Sequence, residues 1–557
     1  MNDFHKFVTE FGSDHALEHF DIIIVGAGSA GCVIANRLSA DPALRILLLE
    51  AGPQDKNRWI HIPAGMARLF TDREINWAYF TEPEKELGGK RVYWPRGKTL
   101  GGSSSINGMA YVRGIPSDYD GWMRMGNAGW GWEDLLPLFR RGETYWGGET
   151  SLHGGAGELT NSSCEQRMAR GSSLHRATQR FIEAAVAVGI APNRDFNGSS
   201  LEGVGWIDHN VTQWGRRASG ATAFLKPIQN RTNLKIETDS SVDRIVIEGG
   251  RAVAVDYRRN GQPIRAHASK EIILSAGAVN SPQILMLSGI GPESELREHG
   301  IEVHMHAPHV GKNLQDHMYV HWVHEVRPGY SFNQEITGSK LLPHLLSYFL
   351  RGKGLLTAGA SSAYIFSRSW SNVETPDIQI GFRAFSAENM VSGKPGPHDF
   401  PGWSASVSYL HPKSRGEIRL KSADPRDSPA VHANYLSHPD DLRAVMSALR
   451  LVERVYAESA IKDVLVRRLA PAEDITTDEA LESYVRRSCD SMYHPCGTCA
   501  MGPEATAVVG PRLRVNGVQG LRVADASIMP RIVSGNINAA CAMIGEKLAD
   551  LVKADLR

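Results

Sequence analysis

Residues 21–25, Asp-Ile-Ile-Ile-Val, run straight into Gly26-Ala27-Gly28-Ser29-Ala30-Gly31, and nothing else in the chain restricts its fold so tightly. An apolar run that meets three glycines at this spacing, with the helix-like Cys-Val-Ile-Ala-Asn-Arg-Leu-Ser-Ala behind it, reads as strand, glycine turn, helix. In G-x-G-x-x-G the first glycine permits the tight turn, the second lets a pyrophosphate approach the backbone, and the third lets helix and strand pack closely. The phosphates then meet the free N–H groups of a helix N-terminus. Residues 45–50, Arg-Ile-Leu-Leu-Leu-Glu, supply the next strand, and a strand–helix–strand unit with short connections implies a parallel sheet with a right-handed crossover. Glu50 ends that strand where a carboxylate would accept hydrogen bonds from an adenosine ribose. The fold class at the N-terminus is therefore α/β with a dinucleotide site. A glycine-rich turn alone is weak evidence; strand, helix and terminal acid in this order are not. NAD and FAD are not distinguished by it.

The 557 residues exceed one ordinary core and predict at least two domains, enough to bury a large cofactor. Lysine plus arginine balances aspartate plus glutamate at 61 each, with no long like-charge block, so charge gives no reason to expect nucleic acid or an anionic membrane as partner. No stretch reaches the roughly 18 uninterrupted apolar residues of a membrane span, which leaves only peripheral membrane contact open. Residues 1–20 lack the basic start and apolar run of a secretory signal and read as a short extension. Six cysteines, four of them between Cys489 and Cys541, are too few and too clustered for a disulfide-stapled secreted protein, so reduced thiols and a cytoplasmic setting are expected.

Further strands are expected at 234–237 and 242–247, with a hairpin turn at Gly249-Gly250, at 271–275, and at 521–523 ahead of Asp525. No period of 20–50 residues repeats, which argues against solenoids and propellers. Between 316 and 489 the glycine-strand-helix texture gives way to mixed aromatic and polar segments, read as a second domain over the first.

Two longer segments choose the cofactor. Gly97-Lys98-Thr99-Leu100-Gly101-Gly102-Ser103-Ser104-Ser105-Ile106-Asn107-Gly108 resembles, without a gap, the first signature of the glucose-methanol-choline oxidoreductases. Gly277-Ala278-Val279-Asn280-Ser281-Pro282 through Ser288-Gly289-Ile290-Gly291 resembles the second. The likeness extends to residues 310–317, Val-Gly-Lys-Asn-Leu-Gln-Asp-His, to His494-Pro495-Cys496-Gly497-Thr498, to Asp525-Ala526-Ser527 and to Asn536-Ile537-Asn538, and so covers the chain from residue 20 on. It implies a Rossmann-like FAD domain assembled from 20–155, 205–315 and 490–557, and an α+β substrate domain of 156–204 and 316–489 whose antiparallel sheet covers the flavin. It implies FAD contacts from Gly26, Gly28, Ser29, Ala30, Gly31, Glu50, Ala51, Arg96, Gly101, Gly102, Ser103, Asn107, Gly108, Met109, Ala110, Val242, Asp525, Ala526 and Asn536. It also implies that an alcohol is oxidised by hydride transfer to flavin N5. Physically, Gly101 and Gly102 let backbone amides approach phosphate or flavin edges, and Ser103, Asn107 and the 108–110 amides offer hydrogen bonds. Read alone, the segment would be a serine-glycine surface loop.

Removing hydride from an alcohol carbon is easy only if the hydroxyl loses its proton, so a base of near-neutral pKa must reach that oxygen. His494 matches the family's catalytic histidine, and Asn538 its second catalytic position, filled there by histidine or asparagine. An asparagine amide can donate to the developing alkoxide without competing for the proton. Without the flanking match, one histidine among 21 would read as a core or surface residue. Pro495-Cys496-Gly497-Thr498-Cys499 matches half of a zinc deaminase signature, but no histidine in the chain is followed two residues later by glutamate. The same C-x-x-C lacks the helix-opening context of a thioredoxin-like pair, and Gly28-Ser29-Ala30-Gly31 is one residue short of the serine-hydrolase elbow. His299, His304, His306 and His309 read as a solvated connection, and no metal is expected.

Some members tether FAD through a histidine where this chain has Ile106, so non-covalent FAD is expected. In choline-oxidising members a glutamate eight residues after the Gln-Asp-His histidine binds the trimethylammonium group, and Glu325 stands there. The histidine that accompanies it is replaced by Gly381 in Pro376-Asp377-Ile378-Gln379-Ile380-Gly381. This half-present pattern keeps Glu325 as a candidate substrate residue and choline as an alternative to a primary aliphatic or aromatic alcohol. The apolar residues 341–359, either a lid or an ordinary packed helix with a loop, favour the latter. Electrons would pass to a quinone, a carrier or dioxygen, the last making the chain an oxidase. From other classes come a non-redox flavin lyase or photodecarboxylase and a silent flavin-binding protein, against which His494 and Asn538 together stand. A homo-oligomer is compatible with the sequence.

Overall fold

The computed structural model describes residues 18–336, 338–388 and 396–557. The extension read from residues 1–20 lies outside the described residues up to residue 17, and residues 18–20 belong instead to the first strand, Glu18–Val25. Ile22, Ile23, Ile24 and Val25 are buried, since the strand lies between two parallel neighbours, Ile46–Leu49 and Gln262–Leu274. An interior parallel strand is covered on both faces and reads as a continuous apolar run. Leu234–Glu237 extends the set beyond Ile46–Leu49, and Leu521–Val523 pairs with the end of Gln262–Leu274.

The first half of Gln262–Leu274 turns an antiparallel edge to Arg251–Arg259, which pairs in turn with Ser240–Glu248. Gly249 and Gly250 link the latter two, both with positive φ, as a two-residue hairpin turn requires. The strand expected at 271–275 is the end of this 13-residue strand. Its first half is mostly half-buried, with Ala266 and Ala268 alone buried, so it presents no apolar run to a sequence reading.

Helix Ser29–Leu38 lies over the sheet and is crossed by helix Asn538–Asp555. The crossing is close: a Cβ at Gly545 would stand 2.7 Å from the Ala30 carbonyl oxygen. The three glycines of the turn divide by what needs them. Gly26 has φ +98 and a Cβ there would sit 2.5 Å from Ser275 O; at Gly31 it would sit 2.0 Å from Gly26 O. At Gly28, where φ is −77, the nearest atom is 3.9 Å away. The fold itself requires the first and third. The second is required only by what enters the space in front of it.

A second, antiparallel sheet runs in the order Leu465–Ala470, Met318–Val326, Gly402–Tyr409, Ile378–Arg383, Ala363–Ser367, Gly203–Trp206, with Asp490–Ser491 on the end of Met318–Val326. Trp322, Phe382 and Trp403 point to its back, where Phe181 of helix Ser173–Ala187 stacks on Phe382 at 4.3 Å between ring centroids. Successive side chains alternate between faces, so Tyr319, His321, Val323, Gln379, Gly381, Arg383, Ser404 and Ser406 face the space between the two sheets. No helix among the described residues is long and apolar enough to cross a membrane.

Gly31→Ala should lower stability by about 1–3 kcal/mol, the usual effect of forcing atoms into a close-packed contact. Thermal unfolding of the variant measures it, and an unchanged midpoint would show that the helix can move off the turn.

Candidate active site

One continuous cavity of about 1500 Å³ occupies the space between the sheets. It runs from Gly26, Gly28 and Glu50 at the carboxyl ends of the parallel strands, past Gly102, Ser103 and Asn107, to His494. A pocket for one drug-sized ligand is roughly 300–1,000 Å³, so a dinucleotide and a second molecule fit here together. Ser29, Ala30, Ala51, Arg96, Gly108, Met109, Ala110, Val242, Asp525, Ala526, Asn536 and Asn538 also line it. Gly31 and Gly101 do not. Gly31 abuts the Gly26 carbonyl, and Gly101, at φ +87, turns the loop against Ser105 behind the wall.

The residues present suit a dinucleotide. Gly28 leaves its front open, and the Glu50 carboxylate is held at the strand end by the amides of Ala27 and Gly52, each donating at 3.0 Å. Burial pushes the Glu50 pKa up to about 7, so further donors such as vicinal hydroxyls would favour its charged form. The half-buried Arg96 guanidinium is anchored on the Tyr493 carbonyl at 2.6 Å, and desolvation lowers its pKa. Ile106 is buried in the cavity wall and carries no group that could bond covalently to a flavin.

At the other end Tyr493, at φ +66, turns the chain ahead of His494. The His494 backbone N–H donates to Asp316 Oδ1 at 2.7 Å, and Asp316 Oδ2 accepts from the hydroxyls of Ser491 and Tyr435. One buried carboxylate thus fixes the loop to the residue before His317. The His317 ring has Nε2 at 3.0 Å from the Leu410 carbonyl and Nδ1 at 3.0 Å from His494 Nδ1.

These contacts determine the tautomers. A carbonyl only accepts, so His317 Nε2 carries a hydrogen. Burial holds the His317 pKa down to about 4, so its Nδ1 is bare and accepts. The hydrogen between the rings belongs to His494 Nδ1. Burial first, then the neighbouring His317 and Arg96, hold the His494 pKa well below its ordinary value. The ring is therefore neutral and its Nε2 presents a lone pair, which receives a hydrogen bond from Asn536 Nδ2 at 3.1 Å. Tyr364 orients that amide by donating to Asn536 Oδ1 at 3.2 Å.

Family models described as GMC oxidoreductase match residues 20–319 and 412–545. The chain belongs to the GMC oxidoreductase family. It is 41% identical over 551 residues to "Choline dehydrogenase, mitochondrial" of Homo sapiens, covering 96% of this chain and 90% of that one. It is 40% identical over 541 residues to "Alcohol dehydrogenase [acceptor]" of Pseudomonas putida, covering 96% and 95%. Among solved structures, a formate oxidase variant from Aspergillus oryzae RIB40, studied for its FAD modification, superimposes with a TM-score of 0.89 at 27% identity, covering 97% of this chain and 99% of that one. An FAD-dependent oxidoreductase is therefore what this chain encodes.

In this GMC oxidoreductase the two asparagines of Asn536-Ile537-Asn538 are placed otherwise than the sequence reading had them. Asn538 opens helix Asn538–Asp555; its Oδ1 accepts from Ser29 Oγ at 2.7 Å and its Nδ2 donates to Asn210 Oδ1 at 3.3 Å. Asn536, assigned to the flavin, is the one against His494. Both line the cavity, and the intervening Ile537 at the helix start turns them to different neighbours.

Glu325 also differs from expectation. It follows Val323 on the cavity-facing side of its strand but lies beyond the cavity, where Arg467 of the neighbouring strand donates from Nε to its Oε2 at 2.6 Å. At Gly381 a Cβ would meet Tyr364 Cε1 at 2.9 Å and Ser361 Oγ at 2.8 Å, so the histidine of the choline pattern has no room.

Residues 341–359 contain helix Leu341–Arg351 and a short turn, Leu355–Thr357. Leu341, Leu345 and Phe349 border the cavity, and Phe349 is exposed there, as are Leu342, Leu346 and Leu350 on the same helix. Cys496 and Cys499 are free and buried, with pKa values raised well above the thiol range by burial, which keeps them protonated and inert. Among the described residues no cluster of three or more histidine, cysteine or acidic side chains could hold a metal. His317, Tyr364, Gln379 and Arg383 were not anticipated. His317 ends the Gln-Asp-His segment, and Gln379 and Arg383 have their period-two spacing around Gly381; Tyr364 had no signal.

Gly28→Ala should fold with an unchanged far-UV spectrum yet lose the yellow cofactor on gel filtration; stoichiometric FAD after that step would remove Gly28 from the site. His317→Phe frees the His494 tautomer and should slow flavin reduction by about 10- to 100-fold, as loss of an imidazole's orienting partner does. It also removes a group that depresses the His494 pKa, so the low-pH loss of activity should begin at higher pH. Stopped-flow reduction across pH checks both effects, and an unchanged profile with an unchanged rate would contradict the tautomer assignment.

Proposed function

We propose that the protein is an FAD-dependent alcohol dehydrogenase in which His494 takes the hydroxyl proton and Asn536 holds the alcohol oxygen. The observation that carries this reading is the neutral His494, its Nε2 lone pair turned into the cavity and its Nδ1 hydrogen committed to His317. Bound FAD supplies the acceptor for the two electrons leaving the carbon. A substrate hydroxyl that takes the place of the Asn536 amide at Nε2 donates its hydrogen there. Asn536 Nδ2 then donates to the same oxygen as negative charge develops on it. Tyr364 keeps the amide from rotating. Asn536 therefore takes the role first read for Asn538, whose amide serves Ser29 and Asn210.

In this reading the cofactor part comprises 20–155, 205–315 and 490–557, and the substrate part 156–204 and 316–489. Gly28 and Glu50 hold the pyrophosphate and ribose, and the loop through Gly102, Ser103 and Asn107 borders the flavin, held without a covalent bond beside Ile106. Electrons leave to a quinone or carrier in a cytoplasmic setting. The choline alternative loses support because Glu325 is engaged by Arg467.

Anaerobic flavin reduction across an alcohol panel, followed by reoxidation with a quinone or with air, tests the reaction and its acceptor. His494→Ala should retain FAD and reduce it slower by about 10²–10⁴, the usual contribution of a positioned base. The neutral ring is the active form and its pKa is held down. The rate should thus stay level as pH falls through the ordinary histidine value of about 6.5, and decline only below it. A decline centred at or above that value would show that His494 is not the group titrating.

A further inference from the structure

We infer that Arg383 and Gln379 form a subsite for an anionic acceptor group, such as a carboxylate, at the end of the substrate remote from its hydroxyl. This rests on the reading of His494 and Asn536 as the alcohol end and names the substrate class of that site.

Strand Ile378–Arg383 turns Gln379, Gly381 and Arg383 to the cavity. Its register with the two neighbouring strands sets out rows: Gln379 opposite Ser408, which faces Tyr319, then Gly381 opposite Ser406, which faces His321. The Arg383 guanidinium reaches back over the second row, donating from Nη2 to Ser406 Oγ at 2.6 Å and to His321 Nδ1 at 3.2 Å. Gly381 puts no side chain into that row.

Both partners are neutral groups, and Arg383 Nε is buried with no hydrogen-bond partner among the described residues. Gln379, 1% exposed, has neither amide atom bonded among the described residues. Of the buried arginines, Arg113 is paired with Glu143, and Arg522 with Glu271 and Asp555, whereas Arg167 and Arg217 have no carboxylate partner among the described residues; Arg383 differs from these two in lining the cavity. A buried guanidinium without an opposite charge is costly, and one facing a cavity gains that charge from a ligand.

The carboxylates that line the cavity are elsewhere engaged or remote. Glu50 accepts from Ala27 and Gly52, Asp525 from Gly277, Ser281 and Ser527, and Asp427 from Ser422. Glu388 is exposed on the short strand Ala387–Glu388. Among the described residues none of them is bonded to Arg383. This end of the cavity therefore repels a quaternary ammonium and attracts an anion.

The spacing fits one molecule. Gln379 lies beside the Asn536 segment, with Oε1 at 3.7 Å from where a Cβ on Gly535 would stand. The guanidinium is one row further, about 7 Å along the strand at two residues per row. A benzene ring or a chain of a few methylenes spans that distance between a hydroxymethyl group and a carboxylate.

Anaerobic flavin reduction by 4-(hydroxymethyl)benzoate, by its methyl ester and by 4-methylbenzyl alcohol tests the inference. The wild type should favour the acid in kcat/KM by about 10- to 100-fold, the range of a hydrogen bond to a charged group. Arg383→Gln should bring the ratio to about one, chiefly through KM, and Arg383→Lys should restore part of it, a point charge replacing a fork. Titration of the flavin spectrum with benzoate gives a second readout, with weaker binding expected in Arg383→Gln. Reduction by the neutral alcohols with no gain from the carboxylate overturns this inference alone, as does a ratio unchanged in Arg383→Gln. Failure of every alcohol to reduce the flavin overturns the alcohol reading and this one with it.

Discussion

The hydrogen bond between the His317 and His494 rings depends on a carbonyl two contacts away. Leu410 O accepts from His317, which leaves His317 Nδ1 as an acceptor, which in turn fixes the hydrogen of His494 on Nδ1. The direction of the whole chain is set by the one member that cannot reverse, because a carbonyl has no hydrogen to give. Burial contributes in the same sense at both rings by disfavouring the imidazolium. Asp316 supplies the second restraint. By taking the His494 backbone N–H and two hydroxyls, it ties the segment Asp490–His494 to the residues just ahead of strand Met318–Val326. His494 is thus held by its backbone and by its ring, from the adjacent residues Asp316 and His317.

The two sheets meet this arrangement from opposite sides. The parallel sheet ends in a glycine turn whose first and third glycines are filled by its own backbone, and whose second is left open. The antiparallel sheet turns its apolar face to the helices behind it and its polar face to the cavity. Gly545 lets the C-terminal helix lie on the first helix, and Asn536 and Asn538 are at the start of that helix. Through Ser29 the same segment touches the glycine turn, and through Asn536 it touches His494. The two ends of the cavity are therefore joined by one short piece of chain.

Much of the first sheet was legible because interior parallel strands are apolar on both faces, and residues 21–25 and 46–49 show it directly. The second sheet was not, because its strands alternate between an apolar back and a cavity face of serine, glutamine, histidine and arginine, as in Gly402–Tyr409. His494 was legible from its neighbours in sequence. Its partner was not: Asn536 and Asn538 are two apart, and which amide faces the ring depends on how the chain enters a helix at Ile537. His317 carries no local sign of its role, since the Leu410 carbonyl that orients it lies 93 residues away. Glu325 was placed by motif spacing, whereas its carboxylate is engaged by Arg467, 142 residues on, across a strand pair no local pattern announces.

Gly381 shows why half a motif is a poor guide to a substrate. Its Cβ position is closed by Tyr364 and Ser361, and Tyr364 is committed to Asn536. A histidine at 381 would thus displace the ring that orients the amide beside His494. The absence of a side chain there also leaves the row open for the guanidinium of Arg383, two residues on, to lie against Ser406 and His321. Its charge, together with burial, keeps His321 neutral, so the ring can accept from it. A glycine that looks like a lost histidine in the sequence is, in the fold, the condition for a cation on the antiparallel-sheet side of the cavity, while the carboxylate of Glu325 is turned to Arg467 outside it.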